Sequence, residues 1–461
     1  MDRLYPKFVN AVVVPTYDVI RGTNRSKYGK SLEKSQWLPP EEIRETQDKS
    51  LRAIIKHAYD TVPYYHRIFN ENNIVPDDIK AAKDLTKIPV LTKQDILKHK
   101  DEMVSSVIDR SKLLSYMSGG TGNQITFKVT KDQISWELAA EFRAYGWADY
   151  KLGDKLLMFW GSPIDLAKHE ALMKRLTCWV ERVKVVNTYM ISDSAMKGHL
   201  ETMRSYRPQV IKGYASSVYM VAKYLKDNGI DDITPRAIVT SAEMLYPHYR
   251  KVIEDVFGCK VFDFYGSREI GALAAECSEH NGFHINAENV LMEFVKDGEQ
   301  VVDERGIIHM TSLRNYGMPF IRYEIGDVGK PSEEQCNCGR GLPMIETLEG
   351  RESQFMAVVD KTTGKIIPVS TAAPGPIGNL LMYIPVDSYR VIQESLDRIV
   401  IQVVAGEGYK QKDTDFLLNH LREYLGDSIG FEVQKVDYLP PLPSGKRSVF
   451  ISKINAFKST E

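Results

Sequence analysis

The chain has 461 residues, 43% of them hydrophobic and 26% charged, the proportions of a globular protein with room for two or three domains and a large core. Lys plus Arg number 60 against 61 acidic residues, which excludes a global charge that would draw the chain to nucleic acid or an anionic membrane. No apolar run is long enough to span a bilayer, and five cysteines are an odd set for a disulfide scaffold of this size.

In chain order, the first apolar stretch, FVNAVVVPTYDVI (8–20), is interrupted by Asn10, Pro15 and Asp18 with no convincing small-residue cleavage site after it. It reads as mature structure in a cytoplasmic protein. Pro39 and Pro40 then introduce a segment with acids in its first turn and Ile43, Leu51, Ile54 and Ile55 on one helical stripe. At 117–127 comes MSGGTGNQITF, a run of small residues that packs nothing. Its bare N–H groups and two hydroxyls suit a phosphate nest, although GxxxxGK[ST] is absent and a plain turn is the alternative. A helix over about 131–145 and a buried strand over 155–161 follow.

From 196 to 266 the two periods alternate. Helical 196–206, strand QVIKGY (209–214), helix SVYMVAKYLKDNG (217–229), strand AIVTSA (237–242), helix YPHYRKVIEDVFG (246–258) and strand KVFDFYG (260–266) predict parallel βαβ units. Ligands of such sheets sit beyond the carboxyl ends of the strands, where SAE (241–243) and FYGSRE (264–269) fall. Strands VLMEFV (290–295), 300–313 and PFIRYEIGD (319–327) predict a β-rich subdomain. The last hundred or so residues hold the strand DRIVIQVVA (397–405), the amphipathic helix DTDFLLNHLREYLG (413–426) and the Pro/Gly/Ser-rich LPPLPSGKRS (439–448). The fold class is therefore α/β: a large N-terminal domain of parallel βαβ units plus a β-rich subdomain, with a small C-terminal α+β domain behind a polar hinge.

Five motifs occur in order: the glycine run, FYGSREIG (264–271), RYEIGDVG (322–329), LEGRES (348–353) and LPSGKRS (442–448). The set resembles the adenylate-forming acyl-CoA synthetase superfamily. HAYDTVPYYHRIF (57–69), KIPVLTKQDI (87–96) and ECSEHNGFHI (276–285) are similar to its phenylacetate–CoA ligase-like branch, which includes capsular polysaccharide biosynthesis relatives. The resemblance spans roughly residues 45–455 and implies an N-terminal AMP-binding domain, 1–350, and a mobile C-terminal domain, 351–461, carrying the catalytic lysine.

That resemblance assigns Ser118, Gly119, Gly120, Thr121, Gly122 and Asn123 to the ATP triphosphate and Glu269 to Mg²⁺. Phe264, Tyr265, Gly266, Ser267 and the SAE residues Ser241, Ala242 and Glu243 would flank the adenine. Asp327 would hold the ribose hydroxyls, Arg351 the ribose or phosphate, and Lys446 the attacking carboxylate and α-phosphate as a mobile point charge. FWGSPIDL (159–166), Tyr189 and KGYASS (212–217) are candidate walls for the acid, with Trp160, Gly161 and Tyr214 as the named substrate-binding residues. The chain departs from the family at Asn123–Gln124, where many members carry a lysine, at Arg268, where Thr or Ser is usual, and at Gln354, where Asp or Lys is common.

Cys277, Cys336 and Cys338, with His284 as the preferred fourth ligand and His280 as runner-up, form a candidate structural Zn²⁺ site of the Cys₃His kind. The alternative is free thiols in two turns. Cys178 and Cys259 read as inert core thiols. The expected activity is ATP-dependent activation of a small carboxylic acid as acyl-AMP and its transfer to a thiol, coenzyme A, or to an amine. The rival readings are an adenylyltransferase placing AMP on a cofactor hydroxyl and a non-catalytic, zinc-stabilised nucleotide-binding scaffold. The expected state is monomer or homodimer, without nucleic acid or membrane span.

Overall fold

A computed structural model describes residues 4–118, 125–160, 172–188, 193–351, 355–359, 366–370, 376–381, 384–425, 429–440 and 449–454. The chain begins helical, from Tyr5 to Arg21, and continues through helices Arg25–Ser35 and Pro40–Thr61. The last of these starts on a proline whose missing N–H has no partner to lose, with Glu41 and Glu42 against the positive helix end. Its Ile43, Leu51, Ile54 and Ile55 are buried, as their spacing predicts.

A 12-stranded sheet forms the body of the protein. Five of its strands are parallel, in the order Val183–Asn187, Leu156–Trp160, Val210–Tyr214, Ala237–Ser241 and Lys260–Ser267. The crossover helices Asp193–Tyr206, Ala215–Asp227 and Pro247–Phe257 connect them. Gly213 is required at the centre, because a Cβ there would lie 2.8 Å from Val218 Cγ2 and 3.0 Å from Phe159 Cβ. Beyond Ser267 the chain turns back antiparallel into Gly271–Ala275, then Phe283–Ile285, Met344–Arg351, Tyr323–Ser332, Gly306–Ser312 and Val290–Lys296. The expected β-rich subdomain is thus hydrogen-bonded into the same sheet as the parallel units.

Two side-chain pairs far from the strand ends brace this body. Arg143, fully buried, donates from Nη1 and Nη2 to the two carboxylate oxygens of Glu288 at 2.8 and 2.9 Å. Arg322 donates to Glu293 Oε1 at 3.1 Å and to the carbonyls of Thr86 and Ile88 at 3.1 and 2.8 Å. Each buries a charge with its partner and donates further hydrogen bonds to backbone carbonyls, Arg143 to that of Leu32 and to the Asn286 side chain as well.

The C-terminal part has its own four-stranded sheet, in the order Gly430–Lys435, Arg398–Ala405, Val386–Ser395 and Phe450–Ser452. Helix Gln411–Leu425 covers it, setting Leu417 and Leu421, one turn apart, on Val391, Ile399, Ile401 and Val403. Lys223 reaches Asp387 across the boundary at 3.3 Å.

Candidate functional site

Residues from three of the predicted motifs meet in two pairs. Ser118 ends the strand Leu114–Ser118, which pairs antiparallel with Ile125–Val129 on the far side of the glycine run. Its hydroxyl donates to Glu269 Oε1 at 2.6 Å. Glu269 is buried in the turn between strands Lys260–Ser267 and Gly271–Ala275. An anchored carboxylate of this kind can offer oxygen to a hard divalent cation.

The second pair starts on the strand that leads into that turn. Tyr265 donates its hydroxyl to Asp327 Oδ2 at 2.6 Å, and both residues are buried. Asp327 stands opposite Arg351 on the neighbouring strand. Just upstream, Arg322 adopts φ +55° and is held by the contacts described above, which fixes the start of the strand that carries Asp327.

The SAE segment is the third component. Ser241 ends its parallel strand opposite Phe264, and Ala242 has φ +68°. A non-glycine residue in the left-handed region costs about 1–3 kcal/mol, and such strain collects at ligand sites. Glu243 accepts the Ser216 N–H at 3.0 Å, at the start of helix Ala215–Asp227. The Phe264 ring packs on Tyr145, 5.4 Å between centroids, while Tyr265 bonds Asp327. Alternation along a strand sends neighbours to opposite faces.

On that other face Trp160 and Tyr214 come together, ring centroids 4.5 Å apart. Below them lies Lys212, buried, its Nζ bonded to Glu141 Oε1 at 2.9 Å and to the Tyr145 hydroxyl. Glu137 is one helical turn before Glu141, under Gly271, where a Cβ would strike its Cγ at 2.5 Å. Burial pushes the Glu137 carboxyl up to about 8, with the Glu141 charge adding to it and a Gln133 hydrogen bond opposing it.

A separate cluster lies on the antiparallel side. The ligand atoms of Cys277, His284, Cys336 and Cys338 all lie within 4.8 Å of one another. Cys277 and Cys336 Sγ are 3.7 Å apart, and Cys338 Sγ is 3.2 Å from His284 Nε2. A tetrahedral Zn²⁺ with bonds of about 2.3 Å to sulfur needs S···S edges of about 3.8 Å, so the donor set fits that ion. Burial, with Arg340 nearby, pushes the His284 imidazole down to about 4, keeping it neutral as a ligand must be. Burial opposes ionisation of Cys338, yet hydrogen bonds from the Arg340 backbone and side chain hold its thiol below the ordinary value. His280 is not the fourth ligand: its Nδ1 faces Glu276 Oε2 at 3.3 Å.

The C-terminal residues 374–453 match the family described as the CapK C-terminal domain. Protein CapK of Staphylococcus aureus is 24% identical over 423 residues, covering 90% of each chain. A phenylacetate–coenzyme A ligase of Thermus thermophilus is 24% identical over 439 residues, covering 88% of this chain and 94% of its own. The chain is a homologue of phenylacetate–coenzyme A ligases and of CapK. Among solved structures, 2-hydroxyisobutyryl-CoA ligase in its postadenylation state with 2-HIB-AMP aligns at TM-score 0.74 and 16% identity, covering 91% of this chain and 92% of its own. The amide bond synthetase McbA of Marinactinospora thermotolerans aligns at TM-score 0.53 and 16% identity, covering 74% of this chain and 68% of its own. The fold is that of adenylate-forming ligases, and the comparisons support an AMP-forming ligase.

Against this relationship the predicted residues sort plainly. Ser118 is joined to Glu269, Tyr265 to Asp327, Trp160 to Tyr214, and the Cys₃His donors to one another. Gly266 and Ser267 stand opposite Ala272 and Gly271, next to Tyr265. Gly119, Gly120, Thr121, Gly122, Asn123, Gly161, Tyr189 and Lys446 lie outside the described residues, and Arg351 is placed by its backbone alone. Cys178 and Cys259 are half-buried rather than core thiols. The sequence reading placed Lys212 only as part of the candidate wall KGYASS (212–217) and missed Glu141 and Tyr145, although a lysine inside the apolar strand QVIKGY was a signal that something buried had to pair it. Among the described residues no helix is long and apolar enough to cross a membrane.

Proposed function

We propose that the chain is an ATP-dependent adenylate-forming ligase. Its site lies where Ser118, Glu269, Tyr265 and Asp327 come together from three distant motifs. That convergence carries the reading: a cation-binding carboxylate beside a hydroxyl that opens the glycine run, next to a buried Tyr–Asp pair suited to a ribose.

A carboxylate oxygen of the acid attacks the α-phosphorus of ATP, the bond to the β-phosphate oxygen breaks, and pyrophosphate leaves. A thiol or amine then attacks the acyl carbon, loses its proton, and AMP departs. Asp327 accepts hydrogen bonds from the ribose, Tyr265 orients it, and Arg351 follows on the adjacent strand. Glu269 would hold Mg²⁺, which would supply neutralising charge to the phosphates. Lys446, on a mobile domain 351–461 that closes over the N-terminal domain 1–350, completes the charge balance at the α-phosphate. The Cys₃His cluster would hold Zn²⁺ as a structural ion, since protein would fill all four positions. The acid and its acceptor, coenzyme A or an amine, are small molecules of the cytoplasm.

The test is ATP–pyrophosphate exchange with Mg²⁺ across a panel of acids. Exchange triggered by one acid and reduced about 10²-fold or more in Glu269→Gln supports the reading. Exchange undiminished in that variant removes Glu269 from the metal site.

A further inference from the structure

Lys212 is the feature of the acid pocket that activation chemistry does not require. It lies two residues before Tyr214 on a central parallel strand, about 7 Å deeper at the usual rise per residue. Side chains two apart share a face, so Lys212 sits beneath the Trp160–Tyr214 rings. Its Nζ is 4.6 Å from the Tyr145 ring centroid, 5.5 Å from Trp160 and 5.7 Å from Phe264. A floor for a plain hydrocarbon acid would be apolar. Burying an ammonium there instead costs several kcal/mol unless it is paired and hydrogen-bonded.

The pairing is specific. Glu141 takes one proton of Nζ at 2.9 Å and the Tyr145 hydroxyl takes another. An ammonium has three donors, and the contacts of Lys212 to described residues use two of them. The charge is already balanced, which restricts what a ligand there can be. A second carboxylate would meet Glu141 within a few ångströms, and an ammonium would meet Lys212; each would leave a like-charge contact in a buried place. A neutral oxygen accepts the remaining proton without either penalty.

We propose that Lys212 determines specificity, selecting a carboxylic acid that carries a hydroxyl or carbonyl oxygen at the end remote from its reacting carboxylate. Trp160, Tyr214 and Phe264 pack the carbon body between the two ends. The proposal rests on the ligase reading for the position of the pocket.

Matched acids test it: phenylacetate against 4-hydroxyphenylacetate, and pentanoate against 4-oxopentanoate. Binding is read calorimetrically on the full chain with a non-hydrolysable ATP analogue, and turnover by pyrophosphate exchange. In at least one pair the oxygen-bearing acid binds about tenfold or more tightly, because a site built to donate a hydrogen bond rejects the analogue lacking the acceptor. Lys212→Met brings that ratio to about one and moves KM more than kcat. Where that variant does not fold, Glu141→Gln is expected to lower the ratio in the same direction. Equal binding within every pair, binding of none, or a preference that survives Lys212→Met overturns the proposal. Preference without exchange supports the subsite and sinks the ligase reading; exchange without preference does the reverse.

Discussion

Tyr265 and Asp327, 62 positions apart, are joined by a buried hydrogen bond of 2.6 Å that links the FYG and IGD motifs. The bond fixes which Asp327 oxygen is turned towards Tyr265, and in the proposed nucleotide site it would orient the carboxylate for the ribose. Asp327→Asn is expected to raise KM for ATP about tenfold or more, consistent with loss of a charged acceptor. Tyr265→Phe, which leaves the carboxylate but frees it to rotate, should raise it less. Steady-state exchange kinetics decide: an unchanged KM in Asp327→Asn would take this pair out of the nucleotide site.

The cysteine cluster predicts one equivalent of tightly held zinc per chain by elemental analysis. Cys336→Ser should lose it and unfold at lower temperature. The Trp147 ring stands edge-on to His284 at 5.5 Å, and Arg340, beside Cys338, lies over Trp37 at 4.7 Å. Chelation should therefore also change tryptophan emission. Metal-free protein with unchanged melting and emission would show that the cluster bears no structural ion.

Arg143 offers a stability test far from the chemistry. Its guanidinium and Glu288 are both buried, so Arg143→Met leaves an uncompensated carboxylate and is expected to cost about 3–5 kcal/mol in denaturant unfolding. Removing both charges, in Arg143→Met with Glu288→Leu, should recover much of that loss. A double variant no more stable than the single one would mean that the hydrogen bonds to Asn286 and the Leu32 carbonyl, rather than the ion pair, carry the effect.

Glu137 gives a pH dependence of defined sign. Its folded-state value is raised from 4.5 to about 8, chiefly by burial, so the folded state holds a proton that the unfolded chain has lost. The stability tied to that proton is complete below about 4.5 and disappears as the pH rises through about 8. Glu137→Gln should flatten that part of the melting-temperature profile and raise the melting temperature at the alkaline end. An identical profile in the variant would show that the carboxyl ionises freely in the fold.

Periodicity made the parallel units legible: Ala237–Ser241 and Pro247–Phe257 fall where apolar runs and helical stripes place them. It did not reveal that the β-rich strands continue the same sheet, because strand pairing depends on edges that local pattern does not encode. The Cys₃His set was readable as residue types at suitable spacing. The choice between His280 and His284 was not, since both lie in one short segment and only packing turns His280 towards Glu276.

By itself the sequence determined the residue chemistry available: a glycine run opened by Ser118, the acids Glu269 and Asp327, a Cys₃His donor set, and alternating elements whose strand ends collect ligands. The tertiary structure decided which of these meet. It joined Ser118 to Glu269 across 151 positions, turned Phe264 and Tyr265 to opposite faces, and put a paired lysine against the Trp160 ring. Short-range pattern marks helices because their hydrogen bonds are local, and strands because their side chains alternate between two faces. Contacts between distant side chains follow from sheet order and register, which form only when the whole core is buried.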